Sequence, residues 1–343
     1  KLKICLVTPH LRKHGGPTTI LTLGNELAKR GHEVVIATVY SDLNPGVIKY
    51  TELPLILLNQ NAKAIPSCDV LISNSDNPLN PAFVNECPQA KKKVMLKLSH
   101  NPRFQDLEEI GLRQKWDAIV TSSQWLADIC ETPGTWNYPP VKATRIGWYH
   151  YNFDIMKRNI KRKRFHDIHL NEPVTISTLI HQHPLKGAND AGAIFEVLRR
   201  EYGDKINLIG VGEIDQKDVK IAIPGVKYIQ SPTRQEMADL MFKTDIWLGC
   251  SKTEGLGRMA LEAMTGGAAC VLTDTGAEYV VDGQNALVVP VGDNNAAVQF
   301  TNQLIRDAEL RKKIAYAGYL TARNLSDPTD LVNKLEEVLF DIF

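Results

Sequence analysis

The chain lacks most of the features that mark a protein class at first sight. Its six cysteines, Cys5, Cys68, Cys87, Cys130, Cys250 and Cys270, include no C-x-x-C pair. Several lie inside apolar strand-like runs, where cysteine behaves as a small hydrophobe. That placement argues against a disulfide framework or a structural zinc site and for reduced thiols. No apolar run approaches the ~20 residues needed to cross a bilayer. The opening KLKICLVTPH resembles a signal segment only superficially, because its run is short and no small-residue cleavage site follows. It reads as a first buried strand. An excess of one charge is also missing. Forty Lys and Arg face 39 Asp and Glu, a formal net charge of +1, so nothing draws the whole chain toward nucleic acid or acidic membranes. These absences point to a cytoplasmic protein. At 343 residues and 43% hydrophobic content, the chain is long enough for two cores.

Strand-like runs alternate with helix-like ones nearly throughout, the signature of parallel sheets built from βαβ units. KICLVTP is one such run. After it, Pro17-Thr18 opens a helix whose Ile20, Leu23, Leu27 and Gly31 share a face. EVVIATVY, DVLISNS, KKVMLKLS and DAIVTSS follow as strands. The pattern restarts at VTISTLI and continues through a helix at Asn189 to Tyr202, then INLIGVG and VKYIQ. TRQEMADLMFK is a helix opened by a Thr233–Glu236 capping box, and DIWLGCS, AACVLTD and ALVVP complete the strands. Between the two halves lies a polar, basic segment without strand pattern. The expected domains are therefore 1–155 and 173–325, joined by a linker at 156–172. A terminal helix within 326–343 carries Leu331, Leu335, Val338, Leu339 and Ile342 on one stripe, which requires a docking surface.

Four constellations carry possible chemistry. Gly15-Gly16 precede a helix N-terminus and suit a diphosphate cradle, although a plain tight turn explains them equally well. Lys186-Gly187 lies after a strand and before a helix, where a lysine holds phosphate as a point charge, or simply faces water. His181 and His183 nearby lack enough further ligands for a metal. In SKTEGLGRMALEAM, Glu254, Gly255, Leu256 and Gly257 fall at the carboxyl end of a buried strand. Arg258 then starts a helix that carries Glu262 just over one turn in. Carboxylates suit sugar and ribose hydroxyls, and the plainer alternative for Glu262 is a buried ion pair. His100 follows a first-half strand, either beside a ligand or as an ordinary loop histidine.

Together these stretches resemble a retaining glycosyltransferase of the GT-B type, glycosyltransferase family 4. HGGPTTILTLGNELAKRGHEVVIAT is similar to that family's Gly-Gly loop, first helix and second strand. LKGANDA is similar to its Lys-Gly loop, and SKTEGLGRMALEAM to its E-x7-E signature. The resemblance implies two Rossmann-like domains facing a cleft, a nucleotide-sugar donor on the second and an acceptor on the first. It assigns Glu262 to ribose hydroxyls and Glu254 to the transferred sugar. The amides around Gly255 to Arg258 would meet the sugar and diphosphate, Lys186 would neutralise the leaving group, Gly15-Gly16 would close over it, and His100 would stand near the donor sugar. It implies same-face displacement without a metal or other cofactor, and no D-x-D motif is present.

Where the family usually has an arginine before its Lys-Gly loop this chain has His181, so Arg258 is the candidate for the missing charge. The segment IGWYHYNFD also departs from the family's turn. Alternative readings are a non-catalytic GT-B-like partner subunit and a sugar-nucleotide epimerase. For the acceptor, a polysaccharide or lipid-linked glycan is expected. Lys157 to Arg164 read as a solvated linker or as peripheral contact with anionic lipid at the membrane inner face, and nucleic acid is the more distant possibility.

Overall fold

The computed structural model describes residues 1–12, 15–49, 51–74, 87–100, 111–112, 114–132, 141–150, 153–154, 173–215, 225–275 and 277–343. The chain divides into two compact units, Lys1–Trp148 with Pro328–Phe343, and Tyr149–Asp327.

In the first unit the described strands are β1 (Lys3–Thr8), β2 (Glu33–Thr38), β3 (Leu55–Leu57), β4 (Cys68–Asn74), β5 (Ala90–Lys97), β6 (Ala118–Thr121) and β7 (Thr144–Arg145). They form one sheet in the order β3-β2-β1-β4-β5-β6-β7, with every pairing parallel. The continuous apolar runs follow from this arrangement, because a central parallel strand is covered on both faces. In β1, Ile4, Cys5, Leu6 and Val7 are all buried. Helix α1 (Gly15–Lys29) buries Ile20, Leu21, Leu23 and Leu27. It begins two residues before the expected Pro17. Proline is tolerated throughout a first helical turn, where its missing N–H has no intrahelical partner to lose. Helix α2 (Gln124–Glu131) follows β6.

The second unit repeats the design with β8 (Val174–Leu179), β9 (Ile206–Gly212), β10 (Val226–Gln230), β11 (Ile246–Gly249), β12 (Ala269–Thr273) and β13 (Leu287–Val289), ordered β10-β9-β8-β11-β12-β13 and again parallel. Its helices are α3 (Ala188–Tyr202), α4 (Arg234–Lys243), α5 (Arg258–Gly266), α6 (Asn294–Arg306) and α7 (Ala308–Asn324). One core lies between the sheet and α3, α6 and α7, around Phe195, Leu208 and Val271. The other lies against α4 and α5, around Trp247, Leu261 and Met264. The capping box is present: Thr233 Oγ1 accepts from the Glu236 amide at 3.2 Å, and the Glu236 carboxylate accepts from the Thr233 amide at 2.7 Å.

Helix α8 (Thr329–Asp341) belongs to the first unit and buries Leu331, Val332, Leu335 and Leu339. Polar contacts fix it just beyond α1. Arg30 Nη2 donates to Asn333 Oδ1 at 2.9 Å, and His32 Nε2 lies 2.9 Å from Glu336 Oε1. Because His32 Nδ1 already accepts from the Leu2 amide, Nε2 carries the proton and donates.

The division between units falls after Trp148, ahead of the expected boundary at residue 155. Phe153 packs in the second unit's core, 6.0 Å between ring centroids from Tyr319, and the His150 amide donates to the Leu325 carbonyl at 2.6 Å. Too much apolar surface is buried here for a free linker. The whole of the expected linker at 156–172, including the basic run, lies outside the described residues.

Candidate functional site

Strand order reverses in the second sheet between β8 and β11, and open α/β sheets receive ligands at the carboxyl ends of strands flanking such a switch. The loops leaving those two strands carry Lys186 and Glu254. In the first loop, His181 Nδ1 accepts from the His183 amide at 2.9 Å, and His183 caps a short 3₁₀ turn at Pro184–Lys186. Gly187 then takes a left-handed conformation, φ +66°, against the second loop. Any Cβ there would run into the Cys250 carbonyl, so glycine permits the close approach. The Lys252 amide donates to the Leu185 carbonyl at 2.7 Å and stitches the loops together.

The outcome is a preformed pair. Lys186 Nζ donates to Glu254 Oε1 at 2.6 Å, and Ser251 Oγ donates to the same oxygen at 2.7 Å. Both partners keep partial access to water, with side chains 29% and 22% exposed. Ser251 is itself held, since its carbonyl accepts from Thr273 Oγ1. A carboxylate that accepts two hydrogen bonds on one oxygen is oriented by them and keeps lone pairs for a hydroxyl-bearing ligand.

Helix α5 starts directly behind. Gly257, φ +74°, occupies its N-cap without a side-chain cap, so the first-turn amides have no capping side chain and suit an anion. Tyr279 fixes the turn by donating its hydroxyl to the Gly257 carbonyl at 2.7 Å. Burial, ahead of the neighbouring Cys270 and Glu254, pushes the phenol well above its usual pKa, so it remains a donor. A cavity of about 270 Å³ opens among Lys186, Ser251, Glu254, Gly257 and Thr273, with Trp247 and Leu272 as its apolar wall. His181, Gly255, Leu256, Arg258 and Glu262 stand outside that lining. Glu262 is only 5% exposed, one turn into α5. Gly15 and Gly16 begin α1, and His100 follows β5 with its ring 6.4 Å from Trp125; all belong to the first unit. Tyr228, in β10, donates its hydroxyl to the Ile214 carbonyl at 2.9 Å. No three His, Cys, Asp or Glu side chains gather as a metal site among the described residues.

Sequence reasoning missed Ser251, Thr273, Tyr279 and above all His150. This imidazole is 1% exposed and packs on α5. Thr265 Oγ1 donates to the Leu261 carbonyl at 2.8 Å, so it accepts from His150 Nε2–H, also at 2.8 Å. His150 Nδ1 is buried without a partner. Burial, then the Arg258 charge, pushes the ring down to about 3, so it stays neutral. The available signal was the aromatic density of Trp148 to Phe153, too apolar for a solvated connector.

Two Rossmann-like units, each with a parallel sheet whose first six strands follow the same order, define the GT-B fold class. Structures across the whole chain agree. The glycosyltransferase from Rickettsia africae ESF-5 superposes with a TM-score of 0.76 at 18% identity, covering 100% of this chain and 98% of that one. Alr3699/HepE of Anabaena, in complex with UDP and glucose, gives 0.77 at 14% identity, covering 99% and 100%. At these identities the likeness establishes the fold alone. Within the chain, residues 174–307 match the family model for glycosyl transferases group 1. N-acetyl-alpha-D-glucosaminyl L-malate synthase of Bacillus anthracis is 25% identical over 96% of this chain and 94% of its own.

Proposed function

We propose that the chain is a retaining glycosyltransferase that moves a sugar from a nucleoside-diphosphate donor to an acceptor hydroxyl. The observation that carries this reading is the Lys186–Glu254–Ser251 arrangement at the switch point of the second sheet, inside the segment that matches glycosyl transferases group 1. The UDP and glucose bound by the Anabaena protein, and the activity for which the Bacillus anthracis relative is named, support a nucleotide-sugar donor. In this reading the α5 N-terminus and Lys186 take the diphosphate. Glu254 turns from Lys186 toward the sugar hydroxyls, Glu262 takes the ribose, and Arg258 supplies the charge that His181 cannot. The resemblance gives Gly15, Gly16 and His100 donor-side roles as well. Rate enhancement comes from positioning and from stabilising charge on the departing diphosphate, which accepts the acceptor's proton on the face it leaves. No step needs a metal. The acceptor is a carbohydrate or lipid-linked glycan, and the reading places the protein in the cytoplasm.

A panel of nucleotide sugars tested for thermal stabilisation identifies the donor, because a ligand bound only by the native state raises Tm by mass action. Turnover, or slow donor hydrolysis, is then lost in Glu254→Ala. Stabilisation by no nucleotide sugar, or hydrolysis undiminished in Glu254→Ala, refutes the proposal and favours a non-catalytic subunit.

A further inference from the structure

Two hydrogen bonds reach the loop between β11 and α5 from the β12 side, and each ends on a different half of it. The first comes from Thr273, the last residue of β12. Strand pairing between β11 and β12 stops at Gly249 and Leu272. Thr273 carries the contact further with its side chain, whose Oγ1 lies 3.3 Å from the Gly249 carbonyl and donates to that of Ser251. Ser251 Oγ in turn donates to Glu254 Oε1 at 2.7 Å. Two hydroxyls thus connect the sheet to the carboxylate without passing through Lys186.

The second bond comes from Tyr279, whose hydroxyl donates to the Gly257 carbonyl at 2.7 Å. That carbonyl already accepts from the Ala260 amide at 3.1 Å and the Leu261 amide at 3.4 Å. The helix therefore satisfies it unaided, and the phenol adds orientation rather than rescuing an orphan. Its approach needs glycine, since a Cβ at Gly257 would stand 2.9 Å from the phenol oxygen. Tyr279 itself stands on a fixed base. Its carbonyl accepts from Asn285 Nδ2 at 2.7 Å, and the same amide group donates to Thr321 Oγ1 of α7 at 3.0 Å. Asn285 is 5% exposed, and its Oδ1 accepts from the Val281 amide at 2.8 Å.

The two ends have different needs. A lysine is a point charge on a flexible stem, and a diphosphate competes with Glu254 for it. Glu254 then requires a support that stays behind when the lysine leaves. The amides at the start of α5 must instead point together at one anion, which the geometry of the N-cap decides.

We infer that Thr273 and Tyr279 are positioning residues for separate halves of the donor. Thr273, through Ser251, keeps Glu254 aimed at the sugar, and Tyr279, through Gly257, aims the first amides of α5 at the diphosphate. The inference rests on the glycosyltransferase reading and deepens it.

The test compares three probes by calorimetry: uridine, UDP, and the nucleotide sugar that most stabilises the wild type. The affinity of UDP over uridine reads the diphosphate half, and that of the nucleotide sugar over UDP reads the sugar half. Tyr279→Phe should lower the first ratio about fivefold, as expected for one net hydrogen bond, and leave the second within about twofold. Thr273→Val should do the reverse and slow donor hydrolysis by a similar factor. Thr273→Ser keeps the hydroxyl and should restore both the ratio and the rate. If Thr273→Val folds poorly, Ser251→Ala interrupts the same chain and should lower the same ratio. A merely structural role moves both ratios together in each variant, or neither, and either result overturns the inference. A wild type that binds UDP no better than uridine instead refutes the donor reading, and this inference with it.

Discussion

His150 makes the stability of the second unit depend on pH in a way that one substitution removes. The ring is neutral in the folded state, its pKa pushed down to about 3 from an ordinary 6.5, chiefly by burial and then by Arg258. Unfolded, it takes up a proton below 6.5; folded, it refuses one until about 3. The unfolded state therefore binds more protons throughout that window, and stability present above 6.5 is lost as pH falls. From about pH 7 to pH 5 the loss amounts to about 2 kcal/mol from this residue alone, at ~1.4 kcal/mol per unit of separation. Most carboxylates remain ionised at pH 5, so the effect is read with little interference. His150→Gln keeps a side-chain N–H for Thr265 and removes the titration. The assay is urea unfolding across that pH range, with the transitions of the two units fitted separately because one two-state transition does not describe both. Wild type should lose about 2 kcal/mol in the second unit's transition, and the variant should stay nearly flat. Parallel slopes in the two proteins would refute the argument, as would an NMR titration of His150 with a midpoint near 6.5.

Three further outcomes are expected. Arg258→Ala should weaken UDP binding about as much as Lys186→Ala, roughly tenfold or more by calorimetry, because each removes a charge-assisted contact to the diphosphate; a silent Arg258→Ala ends its role as substitute for the missing arginine. Gly187→Ala combines a left-handed φ with a collision at the Cys250 carbonyl, so the second unit should lose about 2 kcal/mol or more, and several degrees of Tm, by calorimetric scan. Leu335→Ala should cost about 2–5 kcal/mol in the first unit's unfolding transition and leave the second unit's unchanged.

The sheets were largely legible because parallel strands need no long-range information to be recognised. Val174–Leu179 reads as buried from its own residues, and Arg258 opens α5 where the glycines before it predict. Short strands were not. Leu55–Leu57 and Thr144–Arg145 are too brief to show a period, and only their neighbours' edges define them. At the site, Glu254 and Lys186 were found separately by residue type and position. Their direct bond depends on Gly187 lying against Cys250, a contact between loops 63 residues apart and invisible to local pattern. Ser251 reads as any loop serine until its oxygen is placed against Glu254. His150 was concealed by the polar sequence after it, which drew the boundary too far along the chain.

The path of the chain has a consequence for how the protein is made. The first unit's closing helix, α8, is encoded after the whole of the second unit. At about 5–20 residues per second, synthesis leaves the surface that receives Leu331, Val332, Leu335 and Leu339 uncovered for roughly ten seconds or more. The second unit, continuous in sequence, can fold meanwhile. The half that is translated first is thus the last to be finished, and a nascent chain stopped near Asp327 would carry its defect at the opposite end from the break.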